Sequence, residues 1–161
     1  MANFPITQKG YDRLIDDIKQ LKQIERPKII EAIATARDFG DLSENAEYHA
    51  AKEKQSFVEG KILDLEDKMA RAEIIDITKL STDSIKFGAT VGLIDDETGE
   101  NVTYHILGEY EADITKKRVS IASPIAKALI GKVVGDIVEV RTPKGSKSYE
   151  VMAIQYQSLD L

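Results

Sequence analysis

The 161-residue chain has no cysteine, which excludes disulfides and thiol chemistry. Its only histidines are His49 and His105, too few for a zinc site of the usual His and Cys type. Neither has a nucleophile close in sequence, and no Gly-x-Ser-x-Gly or phosphate-cradling glycine loop occurs, so nucleophilic catalysis has little support. No stretch approaches the roughly 20 apolar residues of a membrane span. The opening residues also lack the apolar core of a signal peptide, so the expectation is a soluble, cytoplasmic protein with no membrane partner. An excess of positive charge is missing too. Residues 1–79 hold 13 basic and 16 acidic side chains and residues 80–161 hold 9 and 12, for a net charge of −6. Affinity for a phosphate backbone comes mainly from Lys and Arg, so any nucleic acid contact must be local or delivered by a partner. With 42% apolar and 31% charged residues, the chain can bury a core as one large domain or two small ones. There is no internal repeat and no low-complexity tract.

What is present is a helical pattern in two long stretches. Tyr11, Leu14, Ile18 and Leu21 recur at steps of three and four; the pattern stumbles at Arg26-Pro27 and resumes with Ile29, Ile33 and Ala36. Beyond an acidic break at residues 39–45, Tyr48, Ala51, Gln55, Val58, Ile62, Leu65, Met69 and Ala72 keep the steps without interruption. Alternating threes and fours average 3.5 residues, the repeat of helices that supercoil. An antiparallel coiled-coil hairpin follows, its apex about 45 Å from its base if each arm has roughly 30 residues. Thr7 is the expected N-cap of the first arm, residues 8–38, and Pro27 is expected to kink it. An intramolecular coiled coil removes one reason to dimerise, so the expectation is a monomer.

Ile74-Ile75-Asp76-Ile77 is β-branched and leaves the helix, and Ser81-Thr82-Asp83-Ser84 reads as a linker. The boundary therefore falls between a domain over 1–79 and another over 80–161. In the second, residues 89–94 and 102–107 flank a polar turn as a β-hairpin. Residues 119–122 form a third strand, and 136–141 with 149–154 make a second hairpin around Pro143-Lys144-Gly145. Ser123, Pro124 and Gly131 mark the two ends of a short helix. The fold class is α+β, a helical hairpin followed by a small antiparallel sheet with one short helix.

The chemistry concentrates at the apex. Gly40 suits a helix C-terminus, and Asp41 and Glu44 stand three apart, the spacing of a capping box. Asp41, Glu44 and Glu47 are also hard oxygen ligands of the kind that take magnesium; two exposed carboxylates alone would hold it weakly. Such a tip could complete a metal site half built by another protein, and capping and metal binding are compatible. Arg37, Lys52 and Lys54 flank the same end, either as a solvated face or as cations for an RNA phosphate. His49 reads as an exposed helix-surface residue.

Residues 36–53, ARDFGDLSENAEYHAAKE, closely resemble the hairpin-tip signature of the bacterial Gre factors, the transcript-cleavage factors of RNA polymerase. Pro5-Ile6-Thr7 with Gly10 and Leu14, Phe87-Gly88-Ala89-Thr90-Val91, and Ser123-Pro124-Ile125-Ala126 with Leu129-Ile130-Gly131-Lys132 also look like that family, in the same order. The resemblance implies a coiled-coil hairpin followed by a domain similar to FKBP-type prolyl isomerases. It implies docking on the rim of the polymerase secondary channel through Ser123, Pro124, Ile125 and Ala126, and insertion of the coiled coil. It gives Asp41 and Glu44 the catalytic and metal-holding roles, helping to hold a second Mg2+ in the polymerase active site and to position the attacking water. Arg37, Asn45, Tyr48 and Lys52 match positions near the extruded RNA 3′ end. No cofactor is expected to bind stably to the chain alone, and the nucleolytic activity belongs to the polymerase. The sparse basic face resembles the branch of the family associated with short cleavage products, and the intact tip argues against an inhibitory paralogue. Two other classes remain open on the residues alone. One is a prolyl isomerase, for which Phe87, Tyr104, Tyr110, Tyr149 and Tyr156 are a thin aromatic supply; the other is a helical-hairpin chaperone.

Overall fold

The computed structural model describes residues 3–41 and 44–157. Leu42 and Ser43, the centre of the expected apex, lie outside the described residues. Contacts divide the chain into two compact units. One covers Asp12–Arg71; the other joins the described residues through Tyr11 to those from Ala72 onward.

In the first unit the 3.5-residue stripe becomes the seam between two arms. The first arm is α1 (Gln8–Gln20), a π turn (Leu21–Glu25) and α2 (Arg26–Arg37); the second is α3 (Ala46–Arg71). Ile29 and Ile33 pack with Ala51, Val58 and Ile62, with Leu21 and Tyr48 half-buried against them. Leu14, Ile18, Ala36 and Leu65 are buried as the periodicity requires. Burial of one such Leu or Ile side chain contributes about 1.5–3 kcal/mol. Between the arms the Arg26 Nε donates to Glu59 Oε2 at 2.9 Å and its Nη2 to Oε1 at 2.8 Å, a bidentate pair across the seam. Lys22 meets Glu66 at 3.0 Å.

The irregularity expected at Pro27 takes the form of the π turn just upstream. Proline has no amide to donate, and its ring crowds the carbonyl four residues back. Here the Arg26 N–H reaches back to the Leu21 carbonyl, and Pro27 falls in the first turn of α2, where a missing donor costs little.

In the second unit β1 (Phe4–Ile6) pairs in parallel with β2 (Ala72–Ile74), two three-residue strands that periodicity does not reveal. The main sheet contains β3 (Thr90–Asp95), β4 (Asn101–Leu107), β5 (Arg118–Ser120), β6 (Ile137–Thr142) and β7 (Gly145–Gln155), in the order β5-β4-β3-β7-β6. The two expected hairpins are the antiparallel pairs β3–β4 and β6–β7. The third strand corrects the expectation of a wholly antiparallel sheet: β5 runs parallel to β4. Its arrival is set by the two 3₁₀ turns of residues 109–116, which carry the chain back along the sheet edge before it pairs. Val91, Leu93, Ile106, Val119, Val138, Val140 and Val151 face one core, which Ala126 and Leu129 of α4 (Pro124–Leu129) close. None of the described helices is long and apolar enough to cross a membrane.

Candidate functional site

The apex is built by two helix ends. Arg37 closes α2, and Gly40 takes a φ of 122° beyond it. On the other side Asn45 caps α3. Its side-chain oxygen accepts from the Tyr48 amide at 3.0 Å, and its carbonyl accepts from the His49 amide at 3.1 Å. The same side chain donates to the Ala36 carbonyl at 2.5 Å. One residue thus satisfies an orphan donor of α3 and adds a side-chain donor to an α2 carbonyl that also accepts from the Phe39 amide at 3.2 Å, clasping the two arms at their junction.

This corrects the capping-box reading of Asp41 and Glu44. Because α3 begins at Ala46, the N-cap is Asn45, and the Asp41–Glu44 spacing falls ahead of the helix. Both carboxylates are exposed, and with Phe39, Asn45, Ala46 and Glu47 they line an open concavity of about 470 Å³. Among the described residues, no three His, Asp or Glu side chains come close enough to hold a metal ion by themselves. The donors are hard oxygens of the kind magnesium takes, and two carboxylates would supply only part of its shell.

The neighbouring cations differ in setting. The Arg37 guanidinium lies 5.9 Å from the centroid of the Tyr48 ring, which itself meets His49 edge-on at 5.6 Å. Lys52 is exposed and donates to Gln55 Oε1 at 3.1 Å. Arg37, Asn45, Tyr48, Asp41 and Glu44 therefore gather at the apex, while Lys52 stands a further turn along α3.

Asn45→Ala is expected to destabilise the helical unit by about 1–2 kcal/mol, since the cap is worth about 1 and the Ala36 carbonyl loses one of its donors while keeping the Phe39 amide at 3.2 Å. Asn45→Asp keeps the cap acceptor and loses only the donor, so the loss should be smaller. Helical circular dichroism followed through urea unfolding measures both.

The segment 123–126 starts α4. The Ser123 hydroxyl accepts from the Ala126 amide at 3.3 Å, and Pro124 occupies the first helical position. Pro124 is exposed, Ser123 and Ile125 are half-buried, and Ala126 is fully buried beneath them. Ala126 therefore supports this surface from within the core and offers no side chain to a partner. Phe87 and Tyr149, two of the aromatics weighed for a proline pocket, are likewise buried.

The site and the fold together define a helical hairpin with an acidic apex carried by a β-sheet unit. Residues 4–74 match the model of the N-terminal domain of the transcription elongation factors, and residues 80–156 match the GreA/GreB C-terminal domain model. The chain is similar to the transcription elongation factor GreA of Rickettsia prowazekii, with 72% identity over 160 residues covering 99% of each chain. It is 56% identical over 156 residues to the GreA of Phenylobacterium zucineum, covering 97% of this chain and 99% of the relative. Among solved structures it resembles GreA factor homolog 1 of Thermus thermophilus, with 30% identity, a TM-score of 0.44, and coverage of 95% and 99%. The chain belongs to the GreA/GreB family of transcription elongation factors.

Proposed function

We propose that this chain binds bacterial RNA polymerase, enters its secondary channel with the helical hairpin, and stimulates the polymerase's own cleavage of backtracked RNA. The observation that carries this reading is the placement of Asp41 and Glu44. They are exposed on an open apex whose α3 cap is supplied by Asn45, so the capping requirement of that helix does not explain them. Family membership supports the transcriptional setting.

In this mechanism Asp41 and Glu44 contribute oxygen ligands to a Mg2+ that the polymerase carboxylates also hold. When bound there, such an ion would supply charge stabilisation to the oxygens of a phosphodiester displacement and would make its water a better nucleophile. The two carboxylates would hold that ion and orient the attacking water, and Arg37, braced by the Tyr48 ring, would with Lys52 meet the phosphates of the extruded 3′ segment. Asn45 ties the start of α3 to the end of α2, so the two helix ends that flank the carboxylates are held together. Ser123, Pro124 and Ile125 form the docking surface, seated on buried Ala126. The chain is not itself an enzyme, because the hydrolytic site exists only while the tip stands beside the polymerase carboxylates.

The test is a backtracked bacterial polymerase complex carrying a labelled transcript, with Mg2+. Addition of the protein should release short 3′ fragments and restore elongation. Binding to polymerase with no acceleration of cleavage would make the protein a channel-occupying regulator instead.

A further inference from the structure

Glu111 is buried to 2% exposure in the β-sheet unit, and the proposed mechanism does not use it. A fully buried carboxylate is costly unless it is hydrogen-bonded. Its neighbours supply those bonds. The Thr7 amide donates to Glu111 Oε1 at 3.1 Å, and the Thr7 hydroxyl donates to Oε2 in a short hydrogen bond. The Gly108 backbone is a further partner, and these contacts oppose the burial that pushes the carboxyl above its ordinary range.

Thr7 is the N-cap of α1: its Oγ accepts from the Gly10 amide at 3.1 Å, and its carbonyl accepts from the Tyr11 amide at 2.9 Å. In a capping box the third helical residue is Glu or Gln, whose side chain returns to the amide of the cap. Here that position is Gly10, which has no side chain, and the returning carboxylate comes from Glu111, 104 positions after Thr7. The space is made for it. A Cβ on Gly10 would stand 2.6 Å from Glu111 Cδ and 2.7 Å from its Oε2, and a Cβ on Gly108 would overlap the Pro5 carbonyl oxygen. Thr7, Gly10, Gly108 and Glu111 therefore form a capping box assembled across the chain, entirely within the β-sheet unit. The helix that it caps continues without a break past Tyr11 into the first arm of the hairpin.

We propose that Glu111 is a positioning residue for transcript cleavage. It fixes the first turn of α1, the root of the arm that carries the acidic apex, so that losing it lowers the maximal cleavage rate without weakening attachment to the polymerase. The inference rests on the proposed function. Its physical basis is that a displacement of about 1 Å at a reacting centre can cost about a hundredfold in rate, whereas docking through Ser123–Ile125 does not involve this cap.

The test uses the full-length protein with Glu111→Gln, and with Thr7→Val and Thr7→Ser as a second pair should the first variant fold poorly. Gln replaces one acceptor oxygen by a donor, and Val removes the hydroxyl while Ser retains it. Amide hydrogen exchange of residues 8–11 and the concentration dependence of cleavage are measured in parallel. In Glu111→Gln and Thr7→Val, exchange should rise about fivefold, the factor expected for losing a cap. The maximal cleavage rate should fall about tenfold or more, with the half-maximal concentration of factor unchanged; Thr7→Ser should behave as wild type. Faster exchange with an unchanged maximal rate would reduce Glu111 to a structural cap and overturn the proposal. A shift in half-maximal concentration alone would overturn it in favour of docking. If wild type itself gave no cleavage, the functional reading would fail and this role with it, a result distinguishable because the exchange measurement is independent of polymerase.

Discussion

Asp41→Asn combined with Glu44→Gln is expected to lower the maximal rate of stimulated cleavage by about 10²–10³-fold, the range for removing groups that stabilise developing charge at a reacting centre. Binding to polymerase should remain within about twofold. Both substitutions keep size and shape and remove charge, so they discriminate a ligand role from a packing role. The apex geometry makes the experiment clean. The α3 cap belongs to Asn45, and the clasp to Ala36 does not involve either carboxylate, so both the cap and the clasp should survive the two substitutions. Raising Mg2+ should recover part of the lost rate in the single variants, where one ligand remains, and little in the double. A double variant that cleaves as fast as wild type would remove the metal role from the tip and leave the hairpin as a channel occupant. The same assay with Arg37→Ala should show a smaller loss, about tenfold, expressed in the cleavage rate of long extruded segments.

Features that depend on residues close together in the chain are legible in its sequence. The heptad positions Leu14, Ile18, Ile33, Val58, Ile62 and Leu65 are buried since a helical face is set by residues three and four apart. Thr7 and Ser123 cap their helices because a hydroxyl at that point has local amides to serve. Features that depend on partners distant in the chain are not legible in the same way. Phe4–Ile6 and Ala72–Ile74 are too short to show a period, and each needs the other to become a strand. Residues 118–120 have strand character, but nothing in them reveals that they run parallel to β4. Pro27 signals an irregularity without specifying it, and the chain resolves the missing donor with a π turn over five preceding residues. At the candidate site the residue types and their clustering are legible, whereas the division of labour is not. Asp and Glu at a three-residue spacing satisfy a capping box as readily as a metal, and only the start of α3 at Ala46 shows that Asn45 does the capping. Glu111 is hidden for the same reason in stronger form, since its role is defined by a threonine 104 positions away.

The β-sheet unit should be most sensitive at Gly88, where the backbone and the space around it both oppose a side chain. The Ala89 amide donates to the Lys86 carbonyl at 3.1 Å, closing a tight turn in which Gly88 is the third residue, with a φ of 89°. That is the type II pattern, in which the third position sits at positive φ and a Cβ costs about 1–2 kcal/mol. The Gly88 amide is also committed, donating to the Ile106 carbonyl at 2.7 Å, so the turn cannot relax without loosening the end of β4. A Cβ there would overlap Ile77 Cγ2 and stand 2.9 Å from Ile77 Cβ, so a rotamer change alone does not clear it. Ile77 is 6% exposed, and forcing it aside adds about 1–3 kcal/mol of overpacking. Gly88→Ala is therefore expected to destabilise the unit by about 3 kcal/mol and lower its melting temperature by about 15 °C. Gly99→Ala separates the two causes. Its φ is 73° and nothing lies within 4 Å of the added Cβ, so only the backbone cost applies and the loss should be about 1–2 kcal/mol. The clash also predicts coupling: in Gly88→Ala with Ile77→Ala the second substitution removes Cγ2, the closer of the two atoms that the first strikes, and leaves only the Cβ contact, so the pair should lose less stability than the two single losses added together. Additive losses in urea unfolding, or a Gly88→Ala loss no larger than that of Gly99→Ala, would show that a clash with Ile77 is no part of the loss at Gly88.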